Sequence, residues 1–438
     1  MLQSTTFNGY MILIYSNKTS TRLQYICKFI FKEQLGLAYS ITEDRDGFSN
    51  HEGIKINYST QSFTGSLFNI PPHSLLFETG IQPQSIQCFE FKNHKAFFKN
   101  IQGDFAFDIF AACFYLLSRY EEYLPHEKDM YGRYAYENSL AWKEGFLKLP
   151  LVNIWLHDFA ISLQEKFPGI DIQFPAAGFV PTYDIDIAWS YKYKGLIRNI
   201  GGFIKSPTLN RLSVLFGLQK DPYYSYQYMD ELHAANNLSP VYFFLVATWN
   251  SVYDKNISPY SHAMWKLIRQ HAKKYSIGLH PSWKSNEKDP VLKREKKILE
   301  TASGAPILKS RQHYIKFTLP QTFQKLADTG IEDDYSMGYG SINGFRASVA
   351  SGFQWYNLQT ETISKLRLHP FCFMDANSFY EQHFTAEQAY EELLHYYDLC
   401  KKYHGTFISI FHNNFLGTDK TFAGWKEMYS RFISQLPR

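Results

Sequence analysis

The sequence of 438 residues lacks the features of several large protein classes. No apolar run reaches the length of a membrane span, and the N-terminus has no basic region followed by an apolar core and a small-residue cleavage site. The five cysteines are scattered and form no Cys-x-x-Cys pair, which argues against a thiolate zinc site and for a reducing compartment. We therefore expect a cytoplasmic protein without a membrane span.

A strong net charge is also absent. The formal charge of +4 gives no reason to expect nucleic acid as a partner. No Gly-x-Ser-x-Gly elbow, phosphate-binding loop or dinucleotide fingerprint occurs, so serine hydrolases, nucleoside triphosphatases and dehydrogenases lack support. Aromatic residues, by contrast, make up 18% of the chain, which either compositional bias or carbohydrate recognition by stacked rings would explain.

The length favours two domains. Residues 1–175 are predicted to form a smaller accessory α/β domain around a buried helix over Phe107–Tyr123, with Asp108 as its cap. The turn-rich stretch Phe174–Gly178 is a suitable boundary. Residues 176–438 then alternate short buried strands with helices, which indicates an α/β fold with a parallel sheet, either open or closed into a barrel.

Two carboxylates mark the start of the second part, within Pro181–Trp189. Asp184 and Asp186 follow an apolar strand and would point to one face if strand pairing continues. Two like charges there are costly unless a cation lies between them. A divalent metal, or a base beside a metal ligand, would justify that cost; a solvated turn at the strand end is the alternative.

Polar or ionisable side chains also follow the other predicted strands. They are His280, Arg311, His313, Asp334, Asp375 and His412. Chemistry in parallel α/β folds collects at the carboxyl ends of strands, so these side chains would share one pocket.

The residue types at these strand ends suit metal-assisted hydrolysis. Asp186, His280 and a second imidazole would bind Zn²⁺ or a similar divalent ion and leave one position for water. Asp184 would then act as general base, held by a cation such as Arg311 or Arg346. His412 would protonate the leaving group, so the chemistry is hydrolysis of an amide or ester.

The segment 191–220 contains six basic residues and no acidic one. One interpretation is a surface excursion between a strand and a helix. The other is a patch for an anionic group, such as a glycan carboxylate, a sugar pyrophosphate or a lipid headgroup, and hence for an anionic or lipid-linked glycan.

With these residues identified, the segment 181–438 resembles the NodB-type polysaccharide deacetylases, carbohydrate esterase family 4. Thr182–Asp186 looks like the family's first motif in the form Thr-x-Asp-x-Asp. Ile277–Trp283 stands where the family has its His-x-x-x-His metal motif, and Arg311–Tyr314 resembles its Arg-x-Pro-Tyr motif. Ile408–His412 looks like the last motif. The whole chain also resembles a group of Bacteroidetes polysaccharide deacetylase family members that carry an extra N-terminal domain.

The resemblance implies an irregular (β/α)₇ barrel and a deacetylase that acts on an acetylated sugar or glycan precursor. Asp184 corresponds to the family's base, Asp186 and His280 to metal ligands, and His412 to the group that assists the leaving group. Arg311 is counted with the catalytic residues, and the implied cofactor is a divalent metal, most often Zn²⁺.

One departure from the family pattern concerns the second metal-binding histidine. Four residues after His280, where the family has that histidine, this chain has Lys284, which is a poor ligand when charged. His313 would supply the missing imidazole from the next strand end. Alternatively, Ser282 or Ser285 completes a weaker site, or the metal is lost and a degenerate barrel binds carbohydrate or a partner protein in glycan assembly.

Four residues near these motifs are predicted to contact the substrate. They are Arg346, Trp283, Tyr314 and Asp375. A structural salt bridge is the alternative for Arg346.

Overall fold

The computed structural model describes residues 11–205 and 209–436. The strands of the N-terminal part are β1 Ile12–Tyr15, β2 Tyr39–Thr42, β3 Lys55–Asn57, β4 Phe68–Asn69, β5 Phe89–Phe91 and β6 His94–Ala96. Its helices are α1 Thr21–Cys27, α2 Arg45–Asn50, α3 Ile109–Leu117, α4 Leu140–Lys143 and α5 Leu151–Lys166. The first four strands form a parallel sheet in the order β2-β1-β3-β4, and β5 and β6 form an antiparallel hairpin.

Helix α3 is the buried centre of the N-terminal part, as predicted. All of its residues are buried, and Asp108 caps it by accepting a backbone hydrogen bond at 3.0 Å. The helix ends at Leu117, earlier than predicted, because Arg119 adopts a left-handed φ of 54°. A 3₁₀ turn over Tyr120–Tyr123 then pairs Arg119 with Glu122 inside the core, where unpaired charges would be costly.

The second sheet has nine strands. They are β7 Gly178–Ile185, β8 Val241–Phe244, β9 Ser276–Leu279, β10 Lys309–Ser310, β11 Asp333–Asp334, β12 Phe353–Asn357, β13 Thr362–Leu368, β14 Phe373–Met374 and β15 Thr406–His412. The order is β12-β13-β11-β10-β9-β8-β7-β15-β14, and only β12 runs antiparallel to its neighbour. The α/β class is thus confirmed, with a mixed sheet. Within residues 11–205 and 209–436, no strand pair joins the edges β12 and β14, so hydrogen bonding does not close a barrel.

Helices follow most strands of this sheet. They are α6 Leu196–Lys205, α7 Leu209–Leu215, α8 Tyr226–Ala235, α9 His262–Ala272, α10 Asp289–Ser303, α11 Gln321–Asp328, α12 Ala386–Lys402 and α13 Trp425–Ser434. None of the described helices combines the length and the apolar content needed to cross a membrane.

Two predicted strands differ in the structure. The apolar run Leu366–Met374 predicts one strand, but the structure splits it into β13 and β14, because Pro370 lies between them and has no N–H to donate. The sequence also predicts a strand over Asp333–Tyr339, which ends at Asp334, because the backbone N–H of Ser336 turns back to the Asp334 carboxylate at 2.8 Å.

One hydrophobic core runs through both parts of the chain. The backbone N–H of Phe345 donates to the carbonyl of Leu147 at 2.9 Å, and that of Val152 donates to Ser348 at 2.9 Å. The N-terminal part therefore packs directly against the elements that carry the candidate site. The division into domains at residues 175 and 176 stays a prediction.

Candidate metal centre

The carboxyl edge of the second sheet collects the predicted site residues. Strands β7 and β15 are neighbours, and Asp184 is paired in register with His412. Asp186 follows the end of β7 directly, whereas His280 follows β9 and His313 lies three residues beyond β10. Parallel pairing of these strands places their carboxyl ends on one side of the sheet, which brings side chains from distant segments together.

Asp186 lies at the centre of three imidazoles. Its Oδ1 is 3.1 Å from Nε2 of His280, and its Oδ2 is 3.4 Å from Nε2 of His313. The Nε2 of His412 is 3.5 Å from the same Oδ2. One ligand atom each from Asp186, His280 and His313 lie within 4.8 Å of one another, so these three side chains could share one metal ion.

Each of the three imidazoles is held at Nδ1 by an oxygen acceptor. The acceptors are the carbonyl of Arg311 for His280 at 2.5 Å, Oδ1 of Asp254 for His313 at 2.9 Å, and Oδ1 of Asp375 for His412 at 2.6 Å. An acceptor at Nδ1 holds a proton there, so Nε2 is the ring atom that faces Asp186 in each case. This is the arrangement that orients metal-binding histidines.

Charge coupling shifts the pKa values within the cluster. Burial by itself raises the pKa of the Asp186 carboxyl, but the charges of His313 and His280 outweigh it and hold that pKa well below its ordinary range. Burial lowers the pKa of His313, yet the carboxylates of Asp186 and Asp254 raise it to about 9. In the same way, Asp375 and Asp186 outweigh the burial of His412 and raise its pKa to about 10. The cluster therefore strongly favours a positive charge beside Asp186.

Asp184 is buried next to the cluster and is held by Arg311. Nη1 of Arg311 donates to Asp184 Oδ1 at 2.9 Å, and its Nε donates to the carbonyl of Tyr335 at 3.0 Å. The other carboxylate oxygen of Asp184 lies 3.8 Å from Nε2 of His280. Arg311 itself is fully buried, so it orients Asp184 from behind.

The structure brings His313, and not Lys284, to the position opposite His280. Lys284 is exposed, and the hydroxyl of Ser285 donates to the carbonyl of Ser282 at 2.6 Å. Neither serine lines the cavity into which the cluster opens. Of the three alternatives open from the sequence, the geometry thus favours an imidazole from the strand end after β10.

Three of the four predicted substrate contacts lie elsewhere. The guanidinium of Arg346 is buried and binds Glu122 through two hydrogen bonds of 2.6 and 2.8 Å. Asp375 is fully buried behind His412 and orients its ring. Trp283 stacks on the ring of Tyr253 at 3.8 Å. For Arg346 the structure thus shows the alternative expected from the sequence, a structural salt bridge, and none of these three side chains lines the cavity at the cluster.

The cluster opens into a cavity of about 580 Å³. Asp184, Asp186 and all three imidazoles line it, together with Tyr314. Tyr131 and Arg133, which come from the N-terminal part of the chain, also line it. The cavity is of the size that takes a small-molecule ligand.

The turn that carries Tyr131 and Arg133 is fixed to the second part. Arg133 Nε donates to Asp129 at 2.6 Å, and its Nη1 donates to the carbonyl of Tyr314 at 2.7 Å. The rings of Tyr131 and Tyr314 lie 5.3 Å apart. Gly340 makes room for this contact, since a Cβ there would lie 2.0 Å from Arg133 Nη1.

Two kinds of residue at the site are not predicted by the sequence pattern. Asp254 lies in the loop after β8, ten residues beyond its end, so the strand-end pattern does not indicate it. Tyr131 and Arg133 have no local signal, because only tertiary folding brings their turn to the cavity.

Comparison with known proteins gives a family match for the N-terminal part and several similar solved structures. Residues 12–168 match DUF7033, a family of unknown function, and no curated protein matches the sequence.

Similar solved structures include a protein from Mycobacterium smegmatis described as a polysaccharide deacetylase. It is 14% identical, the match covers 60% of this chain and 87% of that chain, and the TM-score is 0.39. The allantoinase Puue has 14% identity, coverage of 59% and 83%, and a TM-score of 0.39. A protein from Pseudomonas aeruginosa PAO1 described as a probable polysaccharide deacetylase has 13% identity, coverage of 59% and 83%, and a TM-score of 0.38. Polysaccharide deacetylases are thus among the solved structures similar to this chain.

Proposed function

We propose that this chain is a metal-dependent hydrolase that removes acetyl groups from an acetylated sugar or glycan precursor. The observation that carries the proposal is the meeting of Asp186, His280 and His313 beside a second carboxylate, that of Asp184. A purely structural cluster would not need one buried carboxylate, a second half-buried one and three imidazoles at the mouth of one cavity.

The donor set fits a divalent ion. One carboxylate and two imidazoles are the three protein ligands typical of catalytic zinc, and both imidazoles have Nδ1 held by an oxygen, so that Nε2 is the atom a metal would bind in place of a proton. Asp186 Oδ1 is buried and makes no hydrogen bond within the described residues, as a metal-binding oxygen would. Zn²⁺ bound there would supply Lewis acidity toward the acyl carbonyl.

Asp184 is suited to act as the general base. Arg311 occupies one of its oxygens and fixes the carboxylate plane, whereas the other faces the cavity side near His280. Asp184 would take a proton from the attacking water as the water oxygen bonds to the acetyl carbonyl carbon.

His412 is suited to protonate the leaving group from the other side of Asp186. Asp375 holds its Nδ1, so Nε2 can carry the transferable proton into the cavity. As the bond between the acetyl carbon and the sugar nitrogen or oxygen breaks, this proton passes to the departing atom. The products are acetate and a free amine or hydroxyl.

The cavity wall supports a sugar as the substrate. Tyr131 and Tyr314 offer aromatic faces beside the metal centre, and Arg133 supplies polar hydrogen atoms. Pockets of this composition take ligands with apolar faces and several polar groups, as sugar rings have. The parallel strands support the α/β architecture of residues 176–438. That they form an irregular (β/α)₇ barrel, although the sheet is not closed by hydrogen bonds, and that residues 1–175 are an accessory domain beside the cavity, are parts of the proposal.

Metal analysis of the purified full-length protein tests the proposal. We expect about one Zn²⁺ or equivalent ion per chain, loss of that ion in His280→Ala and His313→Ala, and retention in Lys284→Ala, which is the matched control. Acetate release from a panel of N- and O-acetylated sugars should require the same residues. A folded protein that takes up no divalent metal would contradict the proposed hydrolase activity and favour the alternative, a degenerate barrel that binds carbohydrate.

A further inference from the structure

Helices α6 and α7 project large apolar side chains away from the protein. Seven such residues between positions 200 and 218 are at least 36% exposed: Ile200, Ile204, Leu209, Leu212, Leu215, Phe216 and Leu218. Four of them are more than three-quarters exposed. Contiguous apolar exposure of this kind is unusual for a free surface and marks a place of contact.

The helices are anchored to the protein, so the exposure does not come from a loosely attached chain. Arg198 donates to the carbonyls of Asn256 and Lys255, both at 3.0 Å. Arg211 joins α7 to α6 through the carbonyl of Asn199 at 3.2 Å, and Val214 is fully buried. The base of the segment is also held, because the Asp221 carboxylate accepts three backbone N–H groups of residues 190–192.

The charge of the same segment is entirely positive. Residues 191–220 contain six basic side chains and no acidic one. Burial, and after it the neighbouring Arg198, lowers the pKa of Lys194 to about 8. The partner that fits such a surface therefore carries negative charge together with an apolar interior.

The segment also starts beside the candidate metal centre. Trp189 follows Asp186 by three residues, and Ile187 lines the cavity of the metal centre. The loop that holds Arg198 adds Trp249 and Val252, which are 68% and 75% exposed. The apolar surface and the cavity thus belong to the same edge of the sheet.

We propose that the exposed faces of α6, α7 and residues 216–218 dock on the headgroup layer of an anionic lipid bilayer. Short amphipathic helices with apolar and basic faces lie in the plane of such an interface. Phosphate headgroups complement the cations, and acyl chains receive the apolar side chains. A second copy of the chain fits less well, because a symmetric contact would place the same cations against each other.

Vesicle co-sedimentation of the full-length protein tests this surface. The protein should bind vesicles of mixed phosphatidylglycerol and phosphatidylcholine, bind phosphatidylcholine alone much more weakly, and dissociate as salt is raised. Ile204→Ser/Phe216→Ser/Leu218→Ser should abolish binding. Lys192→Gln/Lys220→Gln should weaken it by roughly fivefold for each cation removed. The matched control is Ile101→Ser/Leu308→Ser/Ile363→Ser, whose wild-type residues are also exposed but lie outside the surface.

Three outcomes would overturn the docking proposal. The first is that the folded protein does not bind anionic vesicles. The second is that the triple serine variant binds them as strongly as the wild type. The third is that light scattering shows a dimer for the wild type and a monomer for the triple serine variant. Metal content is measured on every sample and should be unchanged. The two proposals can therefore fail separately, because a protein that binds vesicles but no metal would contradict only the proposed hydrolase activity.

Discussion

Asp254 accepts a hydrogen bond from Nδ1 of His313 at 2.9 Å, while Nε2 of the same ring faces Asp186 at 3.4 Å. Both Asp254 and His313 are buried. The carboxylate thereby fixes the tautomer and the plane of a proposed metal ligand without touching the metal itself.

The substitution Asp254→Ala is expected to weaken Zn²⁺ binding by about 10- to 100-fold, because His313 loses its orienting partner. Competition with a chromophoric chelator measures this on the folded protein. Asp254 also accepts the backbone N–H of Trp283, so the melting temperature is recorded beside the metal affinity.

Asp333→Ala is the matched control for this change. Asp333 pairs with Nε2 of His369 at 2.6 Å, but neither residue lines the cavity. The Asp333→Ala variant should therefore bind Zn²⁺ with the affinity of the wild type. Equal affinities for the Asp254 and Asp333 variants would contradict the assignment of His313 as a ligand.

Gly340→Ala is expected to displace the N-terminal turn from the cavity. The new Cβ would lie 2.0 Å from Arg133 Nη1 and 2.9 Å from the carbonyl of Tyr314, so the hydrogen bond between them must break. We expect KM for an acetylated sugar substrate to rise by about tenfold or more, with unchanged metal content. Gly178→Ala is the control, since its nearest neighbour would be at an ordinary 3.6 Å. An unchanged KM would mean that Arg133 and Tyr131 do not contact substrate.

Glu122 is expected to stabilise the protein in a pH-dependent way. Burial alone raises its pKa, but Arg346 and Arg119 outweigh burial and lower it from 4.5 to about 2. A lowered carboxyl pKa stabilises the fold fully above pH about 4.5, and this stability is lost as pH falls toward 2. The gap between 4.5 and about 2 corresponds to about 3 kcal/mol. Thermal unfolding between pH 7 and 3 should show the difference between wild type and Glu122→Gln shrinking below pH 4.5.

Glu387→Gln provides the comparison for Glu122. Glu387 also binds an arginine, Arg431, at 2.7 Å, but both side chains are exposed. Solvent screens such a pair, so its loss should change the melting temperature little at any pH. If the two variants behaved alike, Glu122 would not hold the two parts of the chain together.

The positions of the site residues were predictable because they depend on local strand patterns. Asp184, Asp186, His280 and His412 each follow a short buried run, and parallel strands end on one edge. For Arg346 the sequence left a substrate contact and a structural salt bridge open, because its partner Glu122 lies 224 residues away in the sequence. The Arg133 contact with the Tyr314 carbonyl likewise spans 181 residues and leaves no local pattern. Pro370 interrupts the run between β13 and β14, but the apolar residues on both sides of it favour one continuous strand when the sequence is taken alone.

Asp375 and Asp254 hold different imidazoles, so we expect their substitution to impair different properties of the site. Asp375 accepts from both Nδ1 and the backbone N–H of His412, each at 2.6 Å. His412 lies next to Asp186 but is not among the three residues that could share one metal ion. Asp375 is therefore a positioning residue for the proposed proton donor, whereas Asp254 positions a ligand.

Asp375→Asn is accordingly expected to lower kcat by about 100-fold, because the amide can hold His412 in the wrong tautomer. KM and the Zn²⁺ affinity should stay close to wild type, since the ligands Asp186, His280 and His313 keep their partners. Steady-state kinetics and chelator competition on the same samples separate the two effects. Asp254→Ala should give the reverse pattern, with weakened metal binding and a kcat that recovers at saturating Zn²⁺. A loss of metal affinity in Asp375→Asn equal to that in Asp254→Ala would instead make His412 a third imidazole ligand and leave the proton donor unassigned.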